Sequence, residues 1–248
     1  MKYSTIFFDL GSTLLYPRDP WAAIYTESNH ALMAVLRANN LPVDTTPLSV
    51  ELECFLDAYY IDRADGIYEK TTFTLLKEIL AKCGHPHVPE PVLRAALEAL
   101  YAITQQNWHL EDDAIATLQA LRSTGIRLGL ISNTSDDRHV HQLMERRGLQ
   151  PFFECVVTSA GCGIRKPDGR IFQLALDAMH TQPAVSMMIG DTLEADILGA
   201  NLIGIYSVWI TRRSIPPTDG DLPIQPQAVI SSLAGIPTLL ADLDGGKK

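Results

Sequence analysis

Short apolar runs punctuate this chain and alternate, over most of its length, with longer stretches of helical period. The runs are Thr5–Phe8, Leu128–Ile131, Cys155–Val157, Met187–Ile189, Tyr206–Ile210 and Ala228–Ile230. Each is bounded by glycine or polar residues and lacks an internal polar alternation, which suits strands buried on both faces. Asp112 and Asp113 precede Ile115, Leu118 and Leu121, and Gly125 follows, so a capped helix is predicted there. A second is predicted from Asp136 or Asp137 to about Gly148, and a third with Pro167 in its first turn ahead of Ile171, Leu174 and Leu176. Strand and helix in alternation predict an α/β fold with a doubly wound parallel sheet.

The rhythm breaks between about Pro20 and Asn107. Four helical segments are predicted in succession, at Trp21–Ala38, Pro47–Ala64, Glu69–Cys83 and Pro89–Gln106. Ile24, Leu32, Val35 and Leu36 form an apolar stripe on one of them. Turn residues fill Leu41–Thr46 and Gly84–Val88. The expected organisation is a core of residues 1–17 and 108–248 carrying an inserted all-helical domain, residues 18–107. An insertion after the first strand sits over the carboxyl ends of the strands, where such sheets bind ligands. The polar, glycine-rich tail Asp242–Lys248 is expected to be loose.

Composition narrows the function classes. The 248 residues carry a formal net charge of -9, with 46% hydrophobic and 20% charged residues. That balance is globular, and no run of Lys or Arg is present to coat nucleic acid or an anionic membrane. Any phosphate must be bound by a local site. The four cysteines show no metal or redox spacing, and the first apolar stretch is broken by Asp9, Gly11 and Pro17. Reduced thiols and no signal peptide lead to an expectation of a cytoplasmic protein. A homo-oligomer is left open.

Chemistry concentrates at strand ends. Asp9 follows the first apolar run, and an aspartate there caps a turn or serves a site. In MMIGDTLEADILGA a second run ends in Asp191, with Asp196 five positions on. Asp191 can cap the following helix, but two strand-end carboxylates that converge repel unless a cation lies between them. All-oxygen donors of this kind suit Mg²⁺. The run ending at Ile131 leads into Ser132 and Asn133, both able to donate hydrogen bonds to an anion. Lys166 precedes a predicted helix start, where a cation opposes the dipole, which favours an anion-binding purpose over a solvated surface role.

In this order the pieces resemble the haloacid dehalogenase superfamily of hydrolases. Asp9-Leu10-Gly11-Ser12-Thr13 is similar to that family's DxDGT, Ser132 to its strand-end Ser or Thr, Lys166-Pro167-Asp168 to its lysine motif, and Gly190-Asp191 through Asp196 to its GDxxxxD. The resemblance implies a Rossmann-like core with a helical cap. It implies Asp9 as nucleophile, forming an aspartyl-phosphate, with Lys166 as the second catalytic residue. Mg²⁺ would be held by Asp9, the backbone carbonyl of Gly11, Asp191 and Asp196. Ser132, Asn133 and Lys166 would hold the phosphate of a small phosphorylated metabolite. The later Asp242-Leu-Asp244-Gly245 mimics the first motif but follows no strand.

One departure matters. The family's phosphatases carry an acid two residues after the nucleophile, and here that place is Gly11. General acid–base help is worth ~10²–10⁴ in rate. Three readings follow: a Mg²⁺-dependent phosphatase, a phosphate- or metabolite-binding protein with little catalysis, and a 2-haloacid dehalogenase. The family's dehalogenases lack the GDxxxxD pair, which this chain has. Within the helical segment Arg18, Tyr25, Arg63 and Tyr68 can face a site or serve as surface and packing. Tyr60 and Trp108 read as core or hinge, His85 and His87 as turn residues without metal, and Arg212 and Arg213 as solvated.

Overall fold

The computed structural model describes residues 2–45, 47–55, 66–215 and 224–246. Eight strands are formed among them: β1 (Thr5–Phe8), β2 (Leu15–Pro17), β3 (Trp108–Leu110), β4 (Arg127–Ser132), β5 (Cys155–Thr158), β6 (Ser186–Gly190), β7 (Tyr206–Ile210) and β8 (Ala228–Ile230). Six of them make one sheet in the order β5-β4-β1-β6-β7-β8. Every pairing in it is parallel. The chain runs outward in opposite directions from the junction of β1 and β6, so the switch point where such sheets bind ligands lies between them.

The helices are α1 (Trp21–Ala38), α2 (Leu48–Glu53), α3 (Thr72–Lys82), α4 (Glu90–Thr104), α5 (Ala114–Ser123), α6 (Asp137–Arg146), α7 (Ser159–Cys162), α8 (Gly169–Ala178), α9 (Leu198–Leu202) and α10 (Ile236–Asp244). Side chains alternate across the sheet, and each face has its own core. Ile6, Phe8, Leu128, Leu130, Met187 and Ile189 pack under α5, α6 and α10. Phe7, Ile131 and Met188 pack under α8. This is why the strands read as unbroken apolar runs.

The helices between β2 and β3 bury a third core, drawn from Leu32, Leu36, Leu52, Leu76, Leu97 and their neighbours. The neck is a two-stranded antiparallel ribbon that pairs Leu15 with Leu110 and Pro17 with Trp108. Sequence periodicity misses this ribbon because each strand is three residues long.

Several expectations are corrected. The segment predicted as helix from Glu69 starts instead at Thr72, capped by Thr71 accepting from Thr74 N–H. Residues 66–70 are drawn out against the core: Glu69 N–H donates to Gly163 O, Arg165 N–H donates to Ile67 O, and Tyr68 bridges Ile164. Tertiary pairing here overrides local helix preference. The predicted helix at 47–64 is helical at Leu48–Glu53, and its last residues, with Tyr60 and Arg63, lie outside the described residues. Pro167 stands outside α8, one residue ahead of Asp168, the cap. Asp242 and Asp244, expected in a loose tail, belong to α10, and Asp244 accepts from Lys2 N–H.

Arg212 and Arg213 are paired rather than solvated. Arg212 meets Glu111 at 2.8 Å and Asp113 at 2.7 Å, and Arg213 meets Glu111 at 2.8 Å. Asp113 therefore bonds Arg212 and Ala234 N–H, and makes no side-chain cap bond to α5. No helix among the described residues is long and apolar enough to cross a membrane.

Candidate active site

Three adjacent strands, β4, β1 and β6, deliver Ser132, Asp9 and Asp191 to the carboxyl end of the sheet. Neighbouring strands lie only about 4.8 Å apart, so residues at their tips are close whatever their separation in sequence. Asp9, Asp191 and Asp196 each present a carboxylate oxygen within 4.8 Å of the others. A shallow pocket of about 440 Å³ covers them, with Gly11, Ser132, Lys166 and Trp108 among its lining residues.

Lys166 holds this cluster from beneath. Its Nζ donates to Asp9 Oδ1 at 2.6 Å, Asp196 Oδ1 at 2.6 Å and the Ile131 carbonyl at 2.8 Å. All three N–H bonds of the ammonium are thus engaged inside the protein. Its side chain is 1% exposed. Burial works against the charge, but Asp196 and Asp9 outweigh it and hold Lys166 above the usual lysine range.

The carboxylates are poised differently. Asp9 is pushed up to about 6 by burial, with Lys166 pulling the other way. Asp191 is pushed up to about 8 by burial and by the charges of Asp9 and Asp196. Its side chain has one weak hydrogen bond, from Thr13 Oγ1 at 3.5 Å, and it caps no helix. Trp209 Nε1 instead fixes its carbonyl at 2.9 Å. Asp196 accepts from Lys166 Nζ at Oδ1 and from Thr192 N–H at Oδ2, the latter at 3.0 Å. It sits in a widened turn, Leu193–Ile197, rather than on a regular helix.

Gly190 makes this turn feasible. A Cβ there would lie 2.2 Å from Asp196 Oδ2, so only glycine lets Asp196 fold back on the strand end.

Three crowded carboxylates and one ammonium leave a net negative cluster, which a hard divalent cation would relieve. The donor set therefore fits Mg²⁺, with Asp191 the carboxylate least satisfied by protein.

Asn133 has a task the sequence did not suggest. Its Nδ2 donates to the Lys166 carbonyl at 3.0 Å and its Oδ1 accepts from Lys166 N–H at 2.8 Å. The side chain grips the lysine loop, and what it can offer an anion is its backbone N–H. The Ser132 hydroxyl, by contrast, has no partner among the described residues. Of the helical-segment candidates, Arg18 pairs with the neighbouring Asp19, Tyr25 stacks on Trp21, and Tyr68 is 66% exposed beside Arg170. None of these lines the pocket, whereas Trp108, read from sequence as packing, does. Arg165 also lines it, tied to the buried Glu69 at 2.5 Å.

The fold and this constellation define a doubly wound parallel α/β core with a carboxylate-rich site at its switch point. A family model described as haloacid dehalogenase-like hydrolase matches residues 3–204, and the chain belongs to that family. Haloacid dehalogenase-like hydrolase domain-containing protein 3 of Bos taurus is 39% identical over 103 residues, 42% of this chain and 40% of that protein. The glyceraldehyde 3-phosphate phosphatase of Methanothermobacter thermautotrophicus is 31% identical over 214 residues, 84% of this chain and 85% of that one. Among solved structures, 2-haloacid dehalogenase from Pseudomonas syringae pv. Tomato DC3000 aligns with a TM-score of 0.70 and 22% identity over 97% of this chain and 99% of that one. That likeness concerns the fold alone.

Proposed function

We propose that the protein is a Mg²⁺-dependent phosphatase of a small phosphorylated metabolite, acting through Asp9. The observation that carries the reading is the convergence of Asp9, Asp191 and Asp196 within 4.8 Å around a fully engaged lysine. Phosphatase relatives add weight, among them the 31% identical glyceraldehyde 3-phosphate phosphatase. Residues 18–107 act as the cap, and the four unpaired thiols suit a cytoplasmic setting.

Lys166 holds Oδ1 of Asp9 and so presents Oδ2, which attacks phosphorus in line. The bond from phosphorus to the leaving oxygen breaks, and water hydrolyses the aspartyl-phosphate. The Ser132 hydroxyl and the Asn133 backbone N–H receive phosphoryl oxygens, while Lys166 supplies positive charge from below. Mg²⁺ would bind Asp9, the Gly11 carbonyl and Asp191, with Asp196 directly or through water, and offset phosphate charge. Asp191 and Asp196 speak against the dehalogenase reading.

Assays on a phosphate panel test this. Turnover should require Mg²⁺, stop in chelator, and fall by at least ~10³ in Asp9→Asn, the scale of a lost nucleophile. Turnover indifferent to both treatments rejects the proposal. The absence of an acid at position 11 supports a second reading, a phosphate-binding protein that does not turn over. Binding of phosphate with no hydrolysis across the panel favours it.

A further inference from the structure

The place of the missing acid is not empty. A Cβ built on Gly11 would lie 3.2 Å from Cη2 and 3.6 Å from Cζ3 of Trp108. The indole therefore occupies the direction a side chain at 11 would take, and a carboxylate there would need it to retreat. The indole is itself held by neighbouring rings. Trp21 packs against Trp108 with ring centroids 5.3 Å apart, and Tyr25 stacks on Trp21 at 5.2 Å and 19°.

Trp108 also borders two spaces. One is the pocket over the carboxylates. The other is a cavity of about 110 Å³, mostly apolar, walled by Leu10, Leu15, Val140, Leu143 and His139. Gly11, Trp108, Ser132 and Asn133 line both. That volume is somewhat below the ~150 Å³ of an apolar cavity known to admit benzene. One ring is therefore the upper limit for a group lodged there.

We propose that Trp108 is the specificity-determining residue of this site, selecting phosphate monoesters whose organic part is a single planar ring on an acidic, phenol-like oxygen. The inference rests on the phosphatase reading above. With glycine in place of an acid at position 11, the leaving oxygen loses the proton donor closest to the nucleophile, which favours a group that can depart with its electron pair unprotonated, a phenolate rather than an alkoxide. Asp9 takes the phosphoryl group and the phenolate leaves. Water then attacks phosphorus, Asp9 is released as carboxylate, and the proton freed from that water leaves through solvent and balances the phenolate. The aromatic wall and the apolar cavity favour a ring over an acyl group, which would also leave unaided.

The test compares kcat/KM for phenyl, acetyl and propyl phosphates in the wild type, Trp108→Ala, Trp108→Phe, Gly11→Asp and the Gly11→Asp/Trp108→Ala double variant, with Asp9→Asn as control. Phenyl phosphate should exceed propyl phosphate by ~10² or more in the wild type, the lower bound for a missing acid. The phenyl-to-acetyl ratio should fall at least tenfold in Trp108→Ala, mainly through KM, and be largely kept by Trp108→Phe. Gly11→Asp alone should not raise propyl phosphate turnover, whereas the double variant should exceed Trp108→Ala on that substrate by at least tenfold. An unchanged phenyl-to-acetyl ratio in Trp108→Ala, or a gain from Gly11→Asp alone, overturns the inference while Asp9-dependent turnover keeps the phosphatase reading. Absence of any Asp9-dependent turnover overturns that reading and this inference with it.

Discussion

At the scale of single residues, burial decides behaviour more than residue type does. His139 opens α6 against the helical segment, stacks on Tyr101 with centroids 4.1 Å apart, and its Nδ1 meets Gln105 Nε2 at 2.8 Å. Burial, with the charge of Arg146, pushes it down to about 3. The folded protein thus keeps this ring neutral where the unfolded chain protonates it near 6.5. The unfolded state binds the extra proton as pH falls below 6.5, so stability is full above that value and declines toward pH 3. At pH 5 the loss from this one group is about 2 kcal/mol. Urea unfolding at pH 7.5 and pH 5 should show the wild type losing about 2 kcal/mol more than His139→Phe, which keeps the stack but cannot titrate. Equal losses would place the acid sensitivity elsewhere.

At the scale of elements, the link between the helical segment and the core is an extended clamp. Residues 66–70 pair with residues 163–165, and Glu69 accepts from Arg165 Nη1 at 2.5 Å and Ser159 Oγ at 2.6 Å. The next residue after Arg165 is Lys166, so the clamp joins the helical segment directly to the loop that holds the nucleophile. Glu69→Ala leaves a mostly buried guanidinium without its carboxylate, which costs about 3 kcal/mol or more. Hydrogen exchange should then quicken at the Glu69 and Arg165 amides by at least tenfold, and less at β1, which is bonded on both sides by β4 and β6. Unaltered protection at those two amides would mean that packing, not the ion pair, holds the clamp.

At the scale of the whole molecule, the sheet order places like charges together and leaves one ammonium to offset three carboxylates. A cation that binds only the folded form stabilises it by mass action, about 2.7 kcal/mol at 100 times its Kd. For a chain of this size that corresponds to a Tm rise of roughly 5–10 °C. Thermal unfolding in Mg²⁺ against chelator should show such a rise, and Asp191→Asn should remove most of it. A Tm unmoved by Mg²⁺ in the wild type would mean that the carboxylates do not take the ion.

The sequence by itself determined the strands of the main sheet, because a strand covered on both faces must be apolar throughout, and that is visible locally. It also marked Asp9, Ser132 and Asp191, since a charged or polar residue at the tip of such a run has no packing reason to be there, and Lys166, since a cation ahead of a helix start opposes the dipole. What it left open depends on contacts between distant segments. The neck ribbon joins Pro17 to Trp108, the 66–70 clamp displaces the start of a helix, Asn133 turns to the Lys166 backbone, and Arg212 finds Asp113. Gly11 reads as a loss in the sequence, yet the tertiary structure sets Trp108 in the same space. Local composition fixes which residues must be buried or can ionise. Only the folded arrangement, by bringing remote side chains within a few ångströms, fixes which of them meet.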